Sequence, residues 1–256
     1  MGLVIHTAGS RFENRGLPFR PPVADGLLYW GFLNDSVDRL GRNYAPDGDP
    51  ISVVGVPTVT SKGAVLSGTN HVQTGVKQTS AFTLIVAGNP VVDGAEAGMF
   101  ISNYTSARAS GVAGTSFGVS LYAGGDDTAV GTFGPRLNVS SYSGIANAPS
   151  NLNNAILPAT DITKPAFLVG TFDSVDKIVK LRNLSAGTSA QSSAFTEAVD
   201  MGVAPFKIGA SPLASYTNRA KNFHLAAIYN RRLSDTEIGL IYTRMQRYLA
   251  TRGVTV

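Results

Sequence analysis

The chain has 256 residues, no cysteine, and 21 Lys and Arg against 17 Asp and Glu, for a formal charge of +4. The missing cysteine excludes a disulfide framework, a thiolate zinc site and a cysteine nucleophile. Only 15% of residues are charged and no Lys/Arg block is interleaved with aromatics, so nucleic acid is not an expected partner, and no apolar run nears the ~20 residues of a membrane-spanning helix.

Residues 1–25 lack sustained periodicity. The opening Met1-Gly-Leu-Val-Ile-His carries no charged stretch ahead of an apolar one, so no secretion signal is expected. Pro18, Pro21 and Pro22 forbid a regular helix and favour extended backbone. Arg11, Phe12, Arg15, Phe19 and Arg20 are the groups by which such an arm holds to a surface, its own domain's or a neighbour's.

From Gly26 the pattern becomes that of strands. Leu27-Leu-Tyr-Trp-Gly-Phe-Leu is bounded by turn residues, and Ile51-Ser-Val-Val, Ala64-Val-Leu-Ser and His71-Val-Gln follow. Ala81-Phe-Thr-Leu-Ile-Val-Ala is a continuous apolar run, the signature of a strand buried on both faces. Gly98-Met-Phe-Ile-Ser, Ser116-Phe-Gly-Val-Ser-Leu-Tyr and Pro135-Arg-Leu-Asn-Val-Ser-Ser-Tyr alternate or nearly so, which turns one face inward. Residues 145–165 read as a long polar connection, either functional or a topological crossover. Ala166-Phe-Leu-Val-Gly-Thr-Phe and Lys177-Ile-Val-Lys-Leu-Arg-Asn then stand at hairpin spacing about Asp173-Ser-Val-Asp, and Phe206-Lys-Ile-Gly follows.

The chain closes on a strand, residues 223–229, and a helix predicted at about 234–252. Ser234 with Glu237 three residues on is a capping box, in which each side chain satisfies an orphan backbone N–H. Ile238, Ile241, Tyr242, Met245, Tyr248 and Leu249 share one face. Arg244, Arg247 and Arg252 stand near the end, where cations favour the helix dipole, and Gly253 is the stop.

These segments together resemble the concanavalin A-like, laminin-G-like family. The matching stretches are Leu28-Tyr-Trp-Gly-Phe with Asp38-Arg-Leu-Gly-Arg-Asn, Val65-Leu-Ser-Gly with His71-Val, and Phe82-Thr-Leu. Leu168-Val-Gly-Thr-Phe-Asp with Ile178-Val-Lys-Leu-Arg-Asn is similar to the family's hairpin, and Ala227-Ile-Tyr-Asn-Arg-Arg-Leu-Ser-Asp-Thr-Glu-Ile to its closing strand and helix. The resemblance implies an all-β, two-sheet jelly-roll sandwich with one C-terminal helix, spanning residues 26–256 behind the arm. Within the family the chain looks most like phage virion members. That implies a non-enzymatic tail, baseplate, fibre or capsid-decoration protein, made in the host cytoplasm, located in the virion, and assembled with other virion proteins as a symmetric homo-oligomer through residues 1–25. The alternative is a carbohydrate-binding module for a host surface glycan.

Glucanases need paired carboxylates about 5–5.5 Å apart in the retaining case, and no Glu-x-Asp-x-x-Glu run is present; Glu197 with Asp200 is the nearest pair. No cofactor is expected except calcium, for which Asp126-Asp127 after two glycines is the expected site; a plain turn is the other reading. Tyr104, Tyr122, Tyr142 and Tyr216 flank loops, where aromatics either stack on sugar rings or cap a sandwich edge. His6, His71 and His224 are too dispersed in sequence to suggest a metal site.

Overall fold

Two kinds of apolar pattern run through the strands, continuous and alternating, and they assemble into two different sheets. The computed structural model describes residues 19–49, 51–60, 63–91, 98–124, 131–213 and 221–256. In chain order come β1 (Leu27–Phe32), α1 (Val37–Leu40), β2 (Ser52–Val54), β3 (Thr58–Thr60), β4 (Gly63–Leu66), β5 (His71–Lys77) and β6 (Ala81–Pro90). Next are β7 (Gly98–Ser102), β8 (Ser106–Ala107), β9 (Thr115–Ser116), β10 (Val119–Gly124), β11 (Thr132–Ser141), β12 (Asn151–Ile156) and β13 (Thr160–Asp161). The last are β14 (Ala166–Asp173), β15 (Lys180–Asn183), β16 (Thr188–Gln191), β17 (Pro205–Ile208), β18 (Lys221–Tyr229) and α2 (Asp235–Ala250).

The first sheet runs β16-β15-β14-β6-β18-β4-β3, with β1 also paired to β18. The second runs β12-β11-β10-β7-β17-β5-β2, with β13 on β11. Both are antiparallel, and β8 and β9 make a small separate hairpin. The protein is thus the all-β two-sheet sandwich with a C-terminal helix that the family resemblance implies.

The continuous apolar runs form the centre of the first sheet because that sheet is buried on both faces. Toward the second sheet it turns Leu84, Leu168, Ala226 and Ile228 into the main core. Away from it, Trp30, Ala227, Ile85 and Val169 line up across four strands. Ile238, Ile241, Met245 and Leu249 of α2 cover that outer row. Each such side chain contributes roughly 1.5–3 kcal/mol on burial. Gly170 marks a close approach of the sheets, since a Cβ there would lie 2.9 Å from a methyl of Leu137.

The capping box forms as predicted: Ser234 Oγ accepts from the Glu237 N–H at 3.3 Å, and Glu237 Oε2 accepts from the Ser234 N–H at 2.8 Å. The Arg231 guanidinium grips both Glu237 oxygens, at 3.1 and 2.6 Å, and with the cap it holds that carboxyl down to about 2.

Two expectations are corrected. Residues 145–165 are not a connection throughout: Asn151–Ile156 is an edge strand on β11. Asn is a poor strand former, so local propensity hides a strand that exists through its pairing. Lys177–Val179 stand outside the strand expected there, which begins at Lys180. Phe19 packs onto its own domain, its ring 5.2 Å from Trp30 and 4.7 Å from Phe32, while Arg20 is exposed. Arg11, Phe12 and Arg15 lie outside the described residues.

Candidate functional site

The second sheet has an apolar inner face, and among the described residues no helix covers its outer face. Stepping across it in register, Val53, Val72, Ile208, Ile101, Leu121, Leu137 and Ala155 form one row, and this row faces the core. The adjacent row is Ser52, Gln73, Lys207, Ser102, Ser120, Asn138 and Asn154. Because side chains alternate faces along a strand, this second row points outward. It takes one residue from each of seven strands, and all seven are polar.

The row is partly organised already. The Ser102 and Ser120 hydroxyls meet at 2.8 Å, and both residues are fully buried. Asn138 is 6% exposed; its Nδ2 donates to the Tyr122 hydroxyl at 3.2 Å, while its Oδ1 has no partner. Tyr122 belongs to the next outward row, with Met99, Arg136 and Ile156. Its phenol accepts from Asn138, so its own proton remains available to an acceptor. Lys207, half-buried, stands between Gln73 and Ser102.

At the end of this face where β11 finishes, a loop system is clamped by one buried ion pair. Arg108 Nε donates to Asp200 Oδ2 at 2.8 Å, and its Nη1 and Nη2 donate to the Ala113 and Ala148 carbonyls at 2.9 and 2.7 Å. Asp200 also accepts from Ser150 Oγ at 2.5 Å, and its backbone carbonyl takes the Ser116 and Ser140 hydroxyls. The Arg108 guanidinium lies 4.8 Å over the Tyr142 ring. Beside it a cleft of about 290 Å³ is lined by Tyr142, Val112, Val199 and Met201. Tyr104 stacks on Phe117 at 5.2 Å and 9°, with its N–H donated to Ser102 Oγ at 3.0 Å.

The structure therefore gathers three of the four expected tyrosines on one side of the molecule: Tyr122 in the sheet face, Tyr104 and Tyr142 at its end. Tyr216 and the expected calcium ligands Asp126 and Asp127 lie outside the described residues. Among the described residues no three metal-ligating side chains cluster. His71 and His224 sit in different sheets. Glu197 is exposed while Asp200 is spent on the Arg108 clamp.

Sequence reasoning missed Asn138, Lys207, Gln73 and Asn154. Their only signal is the alternation of each strand, and it takes the register to show that they form one line.

Two other concavities lie away from this face. A groove of about 920 Å³ along α2 is mainly apolar, lined by Phe19, Leu240, Met245 and Tyr248. A hollow of about 800 Å³ lies against the tail Gly253–Val256, beside His224, whose imidazole burial pushes down to about 4.

No family model matches the chain, and no curated protein matches it in sequence. Solved structures do match in fold. The binding domain of botulinum neurotoxin serotype D aligns with a TM-score of 0.59 at 11% identity, over 87% of this chain and 52% of that one. The binding domain of botulinum neurotoxin DC in complex with SialylT aligns at 0.55 and 10%, over 87% and 52%. Trypanosoma rangeli sialidase in complex with 2,3-difluorosialic acid aligns at 0.55 and 13%, over 86% and 33%. The chain thus spans about half of the toxin domains and a third of the sialidase. At these identities the likeness establishes the β-sandwich; it carries neither the concanavalin A-like subdivision nor a virion role.

Proposed function

We propose that the chain is a glycan-binding module that holds its sugar on the outer face of the second sheet without cleaving it. The seven-residue polar row is the observation that carries this reading. Sugar hydroxyls both donate and accept, and the amides of Gln73 and Asn154 do the same, while the buried Asn138 holds the Tyr122 hydroxyl in place. Tyr122 adds a ring for the sugar's C–H face and a phenol proton for an oxygen. The groups on the face bind hydroxyls rather than transfer protons. The solved structures of similar fold that hold SialylT or a sialic acid derivative support a sugar as the ligand class.

The magnitude follows from the parts. Three or four hydrogen bonds at about 1 kcal/mol net each, plus one aromatic contact, give about 4–5 kcal/mol, so a single site binds with a Kd of about 0.2–1 mM. Useful avidity then comes from repetition of the module. Tyr122→Ala and Asn138→Ala should each weaken binding about fivefold to tenfold in calorimetric titrations at millimolar glycan. The wild type should release no reducing ends from the bound polysaccharide. Folded variants that bind like the wild type would remove the face from the account.

A second reading, assembly through residues 1–25, draws on one observation. The chain enters the described domain at Phe19, in the cluster on the helix-covered side of the first sheet. A module held in a particle through this segment would present the polar row outward. Deleting residues 1–18 should then abolish incorporation while leaving a folded domain; normal incorporation would end this reading.

A further inference from the structure

We infer that the glycan is acidic, and that Lys207 seats its carboxylate in the polar row. The inference rests on the glycan reading above and narrows its ligand class.

The row contains a single charged residue. Its other six members are Ser, Gln or Asn, and Lys207 stands third among the seven, opposite Gln73 on one side and Ser102 on the other. Its ammonium meets no carboxylate among the described residues. The described carboxylates that do pair with cations lie elsewhere. Arg231 with Glu237 and Asp25, Arg182 with Asp235, and Arg232 with Asp176 belong to the surroundings of α2 and the first sheet. On the second sheet's side the described acid groups include Asp200, consumed by Arg108, Glu197, exposed on the segment that leads to it, and Asp161 on the short edge strand β13, beside Lys164. Lys77 on β5 adds positive charge to the same sheet.

Lys207 is moreover partly desolvated without gaining a counter-ion among the described residues: burial lowers its pKa, and, after burial, its charge lowers that of His71. A partly desolvated ammonium beside the Gln73 amide is arranged to receive an anion, with that amide adding a hydrogen bond to it. A hydrogen bond to a charged group is stronger than one between neutral groups, roughly twofold in energy, so such a site discriminates an acidic sugar from its neutral counterpart. Sialic and uronic acids share this carboxylate chemistry.

The test compares 3′-sialyllactose with lactose, and a glucuronate-terminated disaccharide with its glucose-terminated counterpart, by calorimetric or NMR titration of the full chain. The account expects at least one acidic probe to bind tenfold or more tighter than its neutral parent, with the margin shrinking as sodium chloride rises. Lys207→Gln should erase the margin, while Lys77→Gln should keep it. Equal binding of acidic and neutral probes would overturn the inference and leave the glycan reading standing. So would a margin that survives Lys207→Gln, or one that Lys77→Gln erases equally. Failure of all four sugars to bind would sink both.

Discussion

Single residues show how the sandwich sets protonation and strain. Lys221 is fully buried, and its Nζ has no hydrogen-bond partner among the described residues. Burial takes its pKa down to about 7, against 10.5 for an exposed lysine. The unfolded chain therefore binds the extra proton between these values and the folded one does not. Stability should rise with pH from about 7 to 10.5, by up to about 1.4 kcal/mol per unit. Lys221→Met should add roughly 2 kcal/mol or more near neutral pH and flatten the dependence of the urea midpoint across that window. An unchanged slope would show that the lysine has a counter-ion. Arg108 is the opposite case, a buried cation fully met by Asp200 and two carbonyls. Arg108→Met leaves the Asp200 carboxylate buried without its cation and should cost about 3–5 kcal/mol, measured as a loss of unfolding free energy. Neither role is legible in the sequence, because both partners of the clamp are far apart along the chain and the burial of Lys221 is a property of the whole sheet.

Elements differ in how openly the sequence declares them, and the range of the interactions decides it. The cap of α2 could be read directly, since Ser234, Glu237 and Arg231 lie within six residues of one another. Glu237→Gln should cost about 1 kcal/mol. The wild type should lose this contribution as pH falls from about 4.5 toward 2, because the carboxylate's folded pKa lies below its unfolded value. Thermal unfolding across that range checks both statements; a variant with wild-type stability would mean the box contributes nothing. The runs Ala81–Ala87 and Ala166–Phe172 were equally plain, as strands covered on both faces. β12 was not: Asn151-Leu-Asn-Asn-Ala-Ile has little strand propensity, and its extended form comes from pairing with β11.

At the scale of the molecule the two sheets have divided their tasks. The first is closed by α2 and carries the second apolar cluster, while the second keeps one apolar face inward and a polar row outward. The sandwich was legible because alternation and continuity are local patterns. The candidate site was half legible: loop tyrosines stood out as residue types, but Gln73, Lys207, Asn138 and Asn154 became neighbours only through the register of five intervening pairings. The measurement that tests the account most directly is amide chemical-shift mapping of the labelled protein as a sialylated or neutral oligosaccharide is added to several millimolar. The account predicts saturable shifts concentrated at Gln73, Lys207, Ser120, Tyr122, Asn138 and Asn154, with α2 silent. Shifts confined to the α2 groove or to the tail hollow, or none at all, would contradict it.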